Sequence, residues 1–154
     1  LVSDHGVEML FLTVILMGVI QMAIGAAIAE PDKKILCLAG DGGLQVNIGE
    51  LATATQEGVR ITLILMNSRN YEVIKNIQDA QYGGRRYFSE IFTPDFSAVA
   101  HSNGWQYEIL SDLADANTAI GNALKSNGST MIEVDMATIG AYAQPFGGPP
   151  VKKD

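Results

Sequence analysis

Apolar residues along this chain fall into short unbroken runs, set apart by glycine, proline and charge. Ile35-Leu36-Cys37-Leu38-Ala39, Ile61-Thr62-Leu63-Ile64-Leu65-Met66 and Thr130-Met131-Ile132-Glu133-Val134-Asp135 are such runs. Length and β-branching predict buried strands of a parallel sheet. Trp105-Gln106-Tyr107-Glu108-Ile109 alternates, which predicts a half-exposed strand. Between the first two runs, Ile48, Leu51, Ala52, Thr55 and Val59 mark one helical face. Asn47 and Glu50 are spaced as a capping-box variant at its start, and Gly58 fits its C-cap. Strand, helix, strand at this spacing predicts a right-handed βαβ unit.

Met9 to Ala29 is nearly all apolar over twenty-one residues, with Thr13 and Gln21 its clearly polar members. That length would span a bilayer. Glu8 at one end, small residues from Ala23 to Ala29 and the lack of a basic flank instead predict one helix buried inside the domain. Glu30-Pro31-Asp32-Lys33-Lys34 closes it. Glu72 to Gly84 reads as a short helix and loop. Thr93 is placed to cap a helix with Pro94 in its first turn and Phe96, Val99 and Ala100 on its inner face, ending at Asn103-Gly104. Asp112 and Asp115 open another helix, with Leu113, Ala116, Ile120, Ala123 and Leu124 inward and Gly128 at its close. The expected architecture is α/β, an open parallel sheet flanked by helices, over residues 1–139. Residues 140–154, with Pro145, Pro149 and Pro150, form an irregular tail.

Composition narrows the class. With 47% hydrophobic and 18% charged residues, the chain can bury a core and is not disordered. A formal net charge of −7, with ten basic residues, argues against a nucleic-acid groove. The single cysteine, Cys37, lies inside a predicted strand as a small core residue, so no disulfide framework exists. A reducing, cytoplasmic compartment follows as the expectation. The first residue is Leu1, which suggests a fragment, a processed product or a trimmed chain.

Chemistry concentrates after the first strand. Gly40-Asp41-Gly42-Gly43 is a glycine turn leading to a helix, where free N–H groups and the positive dipole end favour an anion. Asp41 would repel a phosphate unless a cation lay between them, so the pattern asks for a diphosphate held through Mg²⁺. Asn67-Ser68-Arg69-Asn70-Tyr71 leaves the next strand. Both loops therefore fall at carboxyl ends of parallel strands, where open α/β sheets bind ligands.

Twenty-four residues separate Gly42 from Asn67. With Ile24-Gly25-Ala26-Ala27, Gly40 to Gln45, Glu50 to Ala54 and Gln78 to Tyr82, this chain resembles the diphosphate-binding domain of thiamine-diphosphate-dependent enzymes. The likeness is to the acetolactate synthase-like, pyruvate-oxidase-like and benzoylformate-decarboxylase-like group, from about Ile24 to Asp135. It implies the thiamine-diphosphate-binding fold, with thiamine diphosphate and Mg²⁺ as cofactors. It also implies a lyase or transferase, a decarboxylase or carboligase of a 2-oxo acid, in a homo- or hetero-oligomer; charge and the flanks of the apolar run leave no nucleic-acid or membrane partner expected.

Carried over, Asp41, Ser68 and Asn70 would ligate the metal, Asn70 through its backbone carbonyl. Gly42, Gly43 and Leu44 would offer N–H groups to the diphosphate, beside Gly40, Asn67 and Tyr71. Two diphosphate oxygens and a water would complete six-fold coordination. Ser68 stands where the family has asparagine, and if it is only a turn residue, Asn67 or Asn70 reaches the metal instead. Met17 stands where relatives touch the pyrimidine side. Val73 and Ile74 read as substrate walls or as core. Asn76-Ile77 replaces the Gln-Trp of acetolactate synthases. His5 reads as a solvated or capping residue ahead of a catalytic acid–base, and the Arg85-Arg86 pair as solvated ahead of a contact to an anionic substrate.

No stretch resembles the pyrimidine-binding domain that carries the family's proton-relay glutamate, so no catalytic residue is assigned here. A partner chain or missing segment would supply it, and the isolated chain would be inactive. The alternatives are the small subunit of a split decarboxylase for an anionic 2-oxo acid, and a non-catalytic degenerate domain kept for assembly.

Overall fold

Five parallel strands form one open sheet in the order β1-β2-β3-β5-β4 in the computed structural model. The structure describes residues 9–13, 18–140 and Gly148. The strands are β1 (Met9–Thr13), β2 (Lys34–Gly40), β3 (Ile61–Asn67), β4 (Gln106–Leu110) and β5 (Thr130–Asp135). The helices are α1 (Val19–Ala29), α2 (Asp41–Val46), α3 (Glu50–Gln56), α4 (Glu72–Gln81), α5 (Phe96–Ser102), α6 (Ala116–Lys125) and α7 (Met136–Ile139).

Side-chain alternation divides the sheet into two packed faces. Ile35, Cys37, Ala39, Ile61, Leu63, Leu65 and Met131 meet α1, α3 and α5 through Ile20, Ala23, Leu51, Ala54, Phe96 and Ala100. Ile132, Val134 and Leu110 face the other way, toward Ala119, Ala123 and Met136 of α6 and α7. Because β2, β3 and β5 are covered on both sides, their sequences read as continuous apolar runs. The chain crosses β3 to β4 before returning to β5, so the last strand in sequence lies inside the sheet.

Several boundaries differ from the sequence reading. The apolar stretch from Met9 to Ala29 is not one helix: residues 9–13 pair with β2, Met9 opposite Lys34 through Thr13 opposite Leu38. An apolar strand and an apolar helix are alike in hydropathy, so the run concealed the break between them; α1 is also not buried all round, since Met22 and Ile28 are exposed. Gly18, at φ 116°, is the left-handed N-cap that starts α1. No helix among the described residues is long and apolar enough to cross a membrane. Met17, His5 and the prolines of the tail lie outside the described residues.

The helix after β2 begins at once, at Asp41, with Gly40 extended at φ −86°. Asn47 is the C-cap of α2, and α3 starts at Glu50 behind Gly49 without a side-chain cap, so the expected capping box does not form. Leu51 and Ala54 are the buried face of α3, whereas Ala52 and Thr55 are exposed. Gly58, at φ 64°, does follow its C-cap. Asp95 caps α5 in place of Thr93, accepting from the Ala98 N–H at 3.1 Å. Leu113 sits in a one-turn 3₁₀ segment and is exposed, because the regular helix starts only at Ala116.

Candidate functional site

The register of the sheet brings the two predicted loops together. Gly40 and Met66 are partners across β2 and β3, so Asp41 and Asn67 leave adjacent strands at the same level. Asp41 is buried, and its carboxylate ties the two strand ends into one unit. Oδ1 accepts from the Gly42 N–H at 2.8 Å, and Oδ2 accepts from the Ser68 and Arg69 N–H groups at 3.1 and 2.6 Å. Burial nevertheless pushes the Asp41 carboxyl above its ordinary range, against the lowering by the backbone N–H groups of Gly42, Arg69, Ser68 and Asn70. The donors therefore do not fully offset desolvation of the anion, and a nearby cation would.

Gly42 serves space rather than turn geometry. Neither Gly42 nor Gly43 has a positive φ. A Cβ on Gly42 would stand 2.5 Å from Cε1 and 2.8 Å from Cδ1 of Tyr71, whose ring closes over the start of α2. At that helix start, the first N–H groups have no intrahelical acceptor. One of them, on Gly42, is turned to Asp41 itself.

The loop from Ser68 to Asn70 is folded on itself. Ser68 Oγ donates to the Asn70 carbonyl at 3.1 Å, and Asn70 Nδ2 donates to the Ser68 carbonyl at 2.8 Å. Arg69 between them is left-handed at φ 58°, a conformation that suits few side chains. Its backbone is held by Asp41, and its guanidinium lies 3.5 Å from Asp135 Oδ1. A strap from Ser89 to Ile91 completes the frame: Tyr71 N–H donates to Ser89 O at 2.7 Å and Ile91 N–H to Arg69 O at 3.0 Å. The sequence offered no periodic signal for this strap.

These donors suit a hard divalent cation. Ser68 Oγ and Asn70 O are 3.1 Å apart. Adjacent ligands on an octahedral ion with bonds of about 2.1 Å would be separated by about 3.0 Å. Among the described residues no cluster of three His, Cys, Asp or Glu side chains could hold a metal, so a thiolate or imidazole site has no support there.

Asn67 does not join that loop through its side chain. It is buried, and its Nδ2 donates to Glu133 Oε1 on β5 at 2.7 Å, while Oδ1 is buried without a partner. Tyr107 on β4 donates its hydroxyl to Glu133 Oε2 at 2.8 Å. Burial first, then Glu133, pushes the Tyr107 phenol well above its ordinary range. Glu133 was missed as a site residue; a charged side chain inside an apolar run was the available signal.

Farther out, Val73 and Ile74 are exposed, so they are not core. Arg86 is engaged with Asp79 through two hydrogen bonds of 2.7 and 2.8 Å, and Arg85 donates to the Tyr82 carbonyl at 3.2 Å. Both arginines are exposed, as the reading as solvated groups requires.

Comparison with known proteins bears on the family and the fold. The family model "Thiamine pyrophosphate enzyme, C-terminal TPP binding domain" matches residues 11–134. The acetolactate synthase large subunit of Haemophilus influenzae is 39% identical over 85 residues, 53% of this chain and 14% of that protein. The acetolactate synthase isozyme 1 large subunit of Escherichia coli K12 is 32% identical over 114 residues, 73% of this chain and 20% of that protein. Among solved structures, a thiamine diphosphate-dependent 4-hydroxybenzoylformate decarboxylase of Rhodococcus jostii RHA1 superposes with a TM-score of 0.69 at 27% identity. That match covers 77% of this chain and 22% of the decarboxylase. The chain thus spans between 14% and 22% of the length of these proteins. It belongs to the thiamine pyrophosphate enzyme family, in the part that forms the C-terminal TPP binding domain.

Proposed function

We propose that this chain supplies the diphosphate- and metal-binding half of the active site of a thiamine-diphosphate-dependent enzyme acting on a 2-oxo acid, acetolactate synthase-like in character. The observation that carries this reading is the meeting of buried Asp41 with the 68–70 loop at the ends of adjacent parallel strands. In this reading Asp41, Ser68 and the Asn70 carbonyl hold Mg²⁺. The start of α2, from Gly40 through Gly42, Gly43 and Leu44, receives the diphosphate, with Tyr71 and Met17 completing the cofactor's surroundings and Asn67 supporting the loop from within the sheet. Residues 1–139 form the binding domain and 140–154 its tail.

Bound thiamine diphosphate would supply the carbon nucleophile and electron sink for decarboxylation or carboligation. The residues here fix the ligand rather than move its protons. Asp41 provides the negative charge that a divalent ion needs, and the helix start provides neutral N–H donors to the phosphate oxygens. The catalytic glutamate comes from a pyrimidine-binding domain on a partner chain or another segment. On this reading the enzyme is a lyase or transferase assembled as an oligomer, in the cytoplasm.

One observation favours a competing reading. The paired hydrogen bonds between Ser68 and Asn70 satisfy the loop without any metal, as a degenerate domain kept for assembly would. Calorimetry with thiamine diphosphate and Mg²⁺, on the chain with whichever pyrimidine-binding chain co-purifies with it, separates the two. Saturable binding, with decarboxylation of a 2-oxo acid by the mixture and not by the chain alone, supports the proposal. No binding in that mixture favours the degenerate domain, and full turnover by the isolated chain would overturn the shared-site arrangement.

A further inference from the structure

We propose that Glu133 is a positioning residue for the metal loop, acting through Asn67 from a buried brace that runs Tyr107–Glu133–Asn67 across three strands. The inference rests on the proposed metal site at Asp41, Ser68 and Asn70. Asn67 is the last residue of β3, and the loop begins at the next residue. Its side chain is 2% exposed and is anchored at one end, by Glu133. The other end, Oδ1, is buried with no partner. Glu133 is thus what fixes the side-chain torsion of Asn67 among the described residues.

Glu133 is itself constrained. It stands opposite Leu65 on β3 and Ile109 on β4, on the same sheet face as Asn67 and Tyr107. The two neutral donors approach different carboxyl oxygens, Asn67 on Oε1 and Tyr107 on Oε2. A buried carboxyl gripped at both oxygens cannot rotate without leaving one donor unsatisfied in a dry interior. Position in the sheet is thereby transmitted to the end of β3. Asp41 grips the same loop from the opposite side, through the Ser68 and Arg69 N–H groups. The loop hangs between two carboxyl groups, one facing the metal position and one behind the strand.

Replacing Glu133 by an apolar residue strands the Asn67 amide nitrogen, and the amide must then turn to find an acceptor. That turn moves the residue from which Ser68 and Asn70 are hung. Groups hydrogen-bonded directly to a metal ligand commonly change affinity by roughly 10- to 100-fold when they are lost; Glu133 stands one residue farther back, through Asn67, so the low end of that range is the expectation. Glutamine at 133 keeps an acceptor for Asn67 and lets the Tyr107 oxygen accept, so it should preserve the brace.

The test is Mn²⁺ binding in the presence of thiamine diphosphate, read by electron paramagnetic resonance on the full chain in complex with its pyrimidine-binding partner. Metal-free melting temperatures are recorded alongside. Glu133→Leu is expected to weaken Mn²⁺ by about tenfold or more, and Glu133→Gln to stay within about threefold of wild type. If Glu133→Leu does not fold, Tyr107→Phe, which loosens only the far end of the brace, is expected to weaken Mn²⁺ by about two- to threefold. Wild-type affinity in folded Glu133→Leu, with only a lowered melting temperature, would make Glu133 merely structural and overturn the inference. Equal losses in the leucine and glutamine variants, or unchanged affinity in Tyr107→Phe, would overturn it too. Failure of the wild-type complex to bind Mn²⁺ would remove the proposed function itself, and the inference with it.

Discussion

The carboxyl ends of β2 and β3 and the segment from α4 to Phe92 are neighbours in space but opposites in construction. At the strand ends the polar groups are tied to one another, with Asp41 and Asn67 buried and Ser68 and Asn70 half-buried: Asp41 to three N–H groups, Asn67 to Glu133, Ser68 to Asn70. Helix α4 has no buried residue at all. Tyr82, Tyr87, Phe88 and Phe92 beyond or beside it are exposed, Phe88 to 93% in a left-handed conformation at φ 53°. The two regions are joined by the strap, whose Ser89 is buried between exposed neighbours and bonds to Tyr71. The difference shows that the Asp41 end is organised within this domain, whereas the apolar surface beside it is left open among the described residues. Under the proposed function these are the finished and the unfinished sides of a half-site.

The sharpest way to break the finished side is Asp41→Ala. Under the proposed function, ligand at a hundredfold its Kd stabilises the wild-type complex by about 2.7 kcal/mol. Asp41→Ala should abolish that Mg²⁺-dependent shift in thermal unfolding, because it removes the charge and the carboxyl that joins the two loops. A shift of wild-type size in the variant would show that the metal is held elsewhere.

Gly42→Ala should come next. Its Cβ would overlap the Tyr71 ring at 2.5 Å, and such overpacking costs about 1–3 kcal/mol in urea unfolding. Removing the ring removes the overlap, so Tyr71→Ala in the same chain should recover most of the loss. Absence of that recovery would put the strain in the backbone instead.

The open side should respond in the reverse manner. Replacing both Phe88 and Phe92 by serine should change the stability of the isolated chain by no more than about 0.5 kcal/mol. The same change should weaken association with the pyrimidine-binding partner, seen by sedimentation. A large loss of chain stability would mean that these rings pack within the domain after all.

The smallest effect at neutral pH concerns Cys37. Burial pushes its thiol up from an ordinary value of 9.0 to about 12, so the folded chain holds this proton more tightly than the unfolded one. Its contribution is complete below about pH 9 and is lost as pH rises toward about 12. The loss should run at up to about 1.4 kcal/mol per pH unit relative to a Cys37→Ala chain, measured by denaturant unfolding. At neutral pH the native thiol should resist alkylation.

Much of this architecture was legible because local pattern and tertiary environment agreed. The runs at 35–39, 61–66 and 130–135 are continuous because β2, β3 and β5 are covered on both faces, and each proved a strand. Gly40-Asp41-Gly42 and its spacing to Asn67 pointed to the loops that the sheet brings together. The first strand was not legible, since an apolar run keeps no record of where strand gives way to helix. The direct entry from β2 into α2 was also missed, because glycine permits a turn without requiring one.

What the sequence determined by itself was the chemistry on offer: one acid between glycines, a polar loop twenty-four residues on, and apolar runs enough for a parallel sheet. Only the tertiary structure decided how those groups are used. Strand register set Asp41 against the N–H groups of Ser68 and Arg69, and strand order set β5 beside β3 so that Glu133 reaches Asn67. Neither fact is local. Hydrogen bonds between residues 66 apart in sequence, as Asn67 and Glu133 are, depend on which strands lie side by side, and no pattern within a single strand encodes that choice.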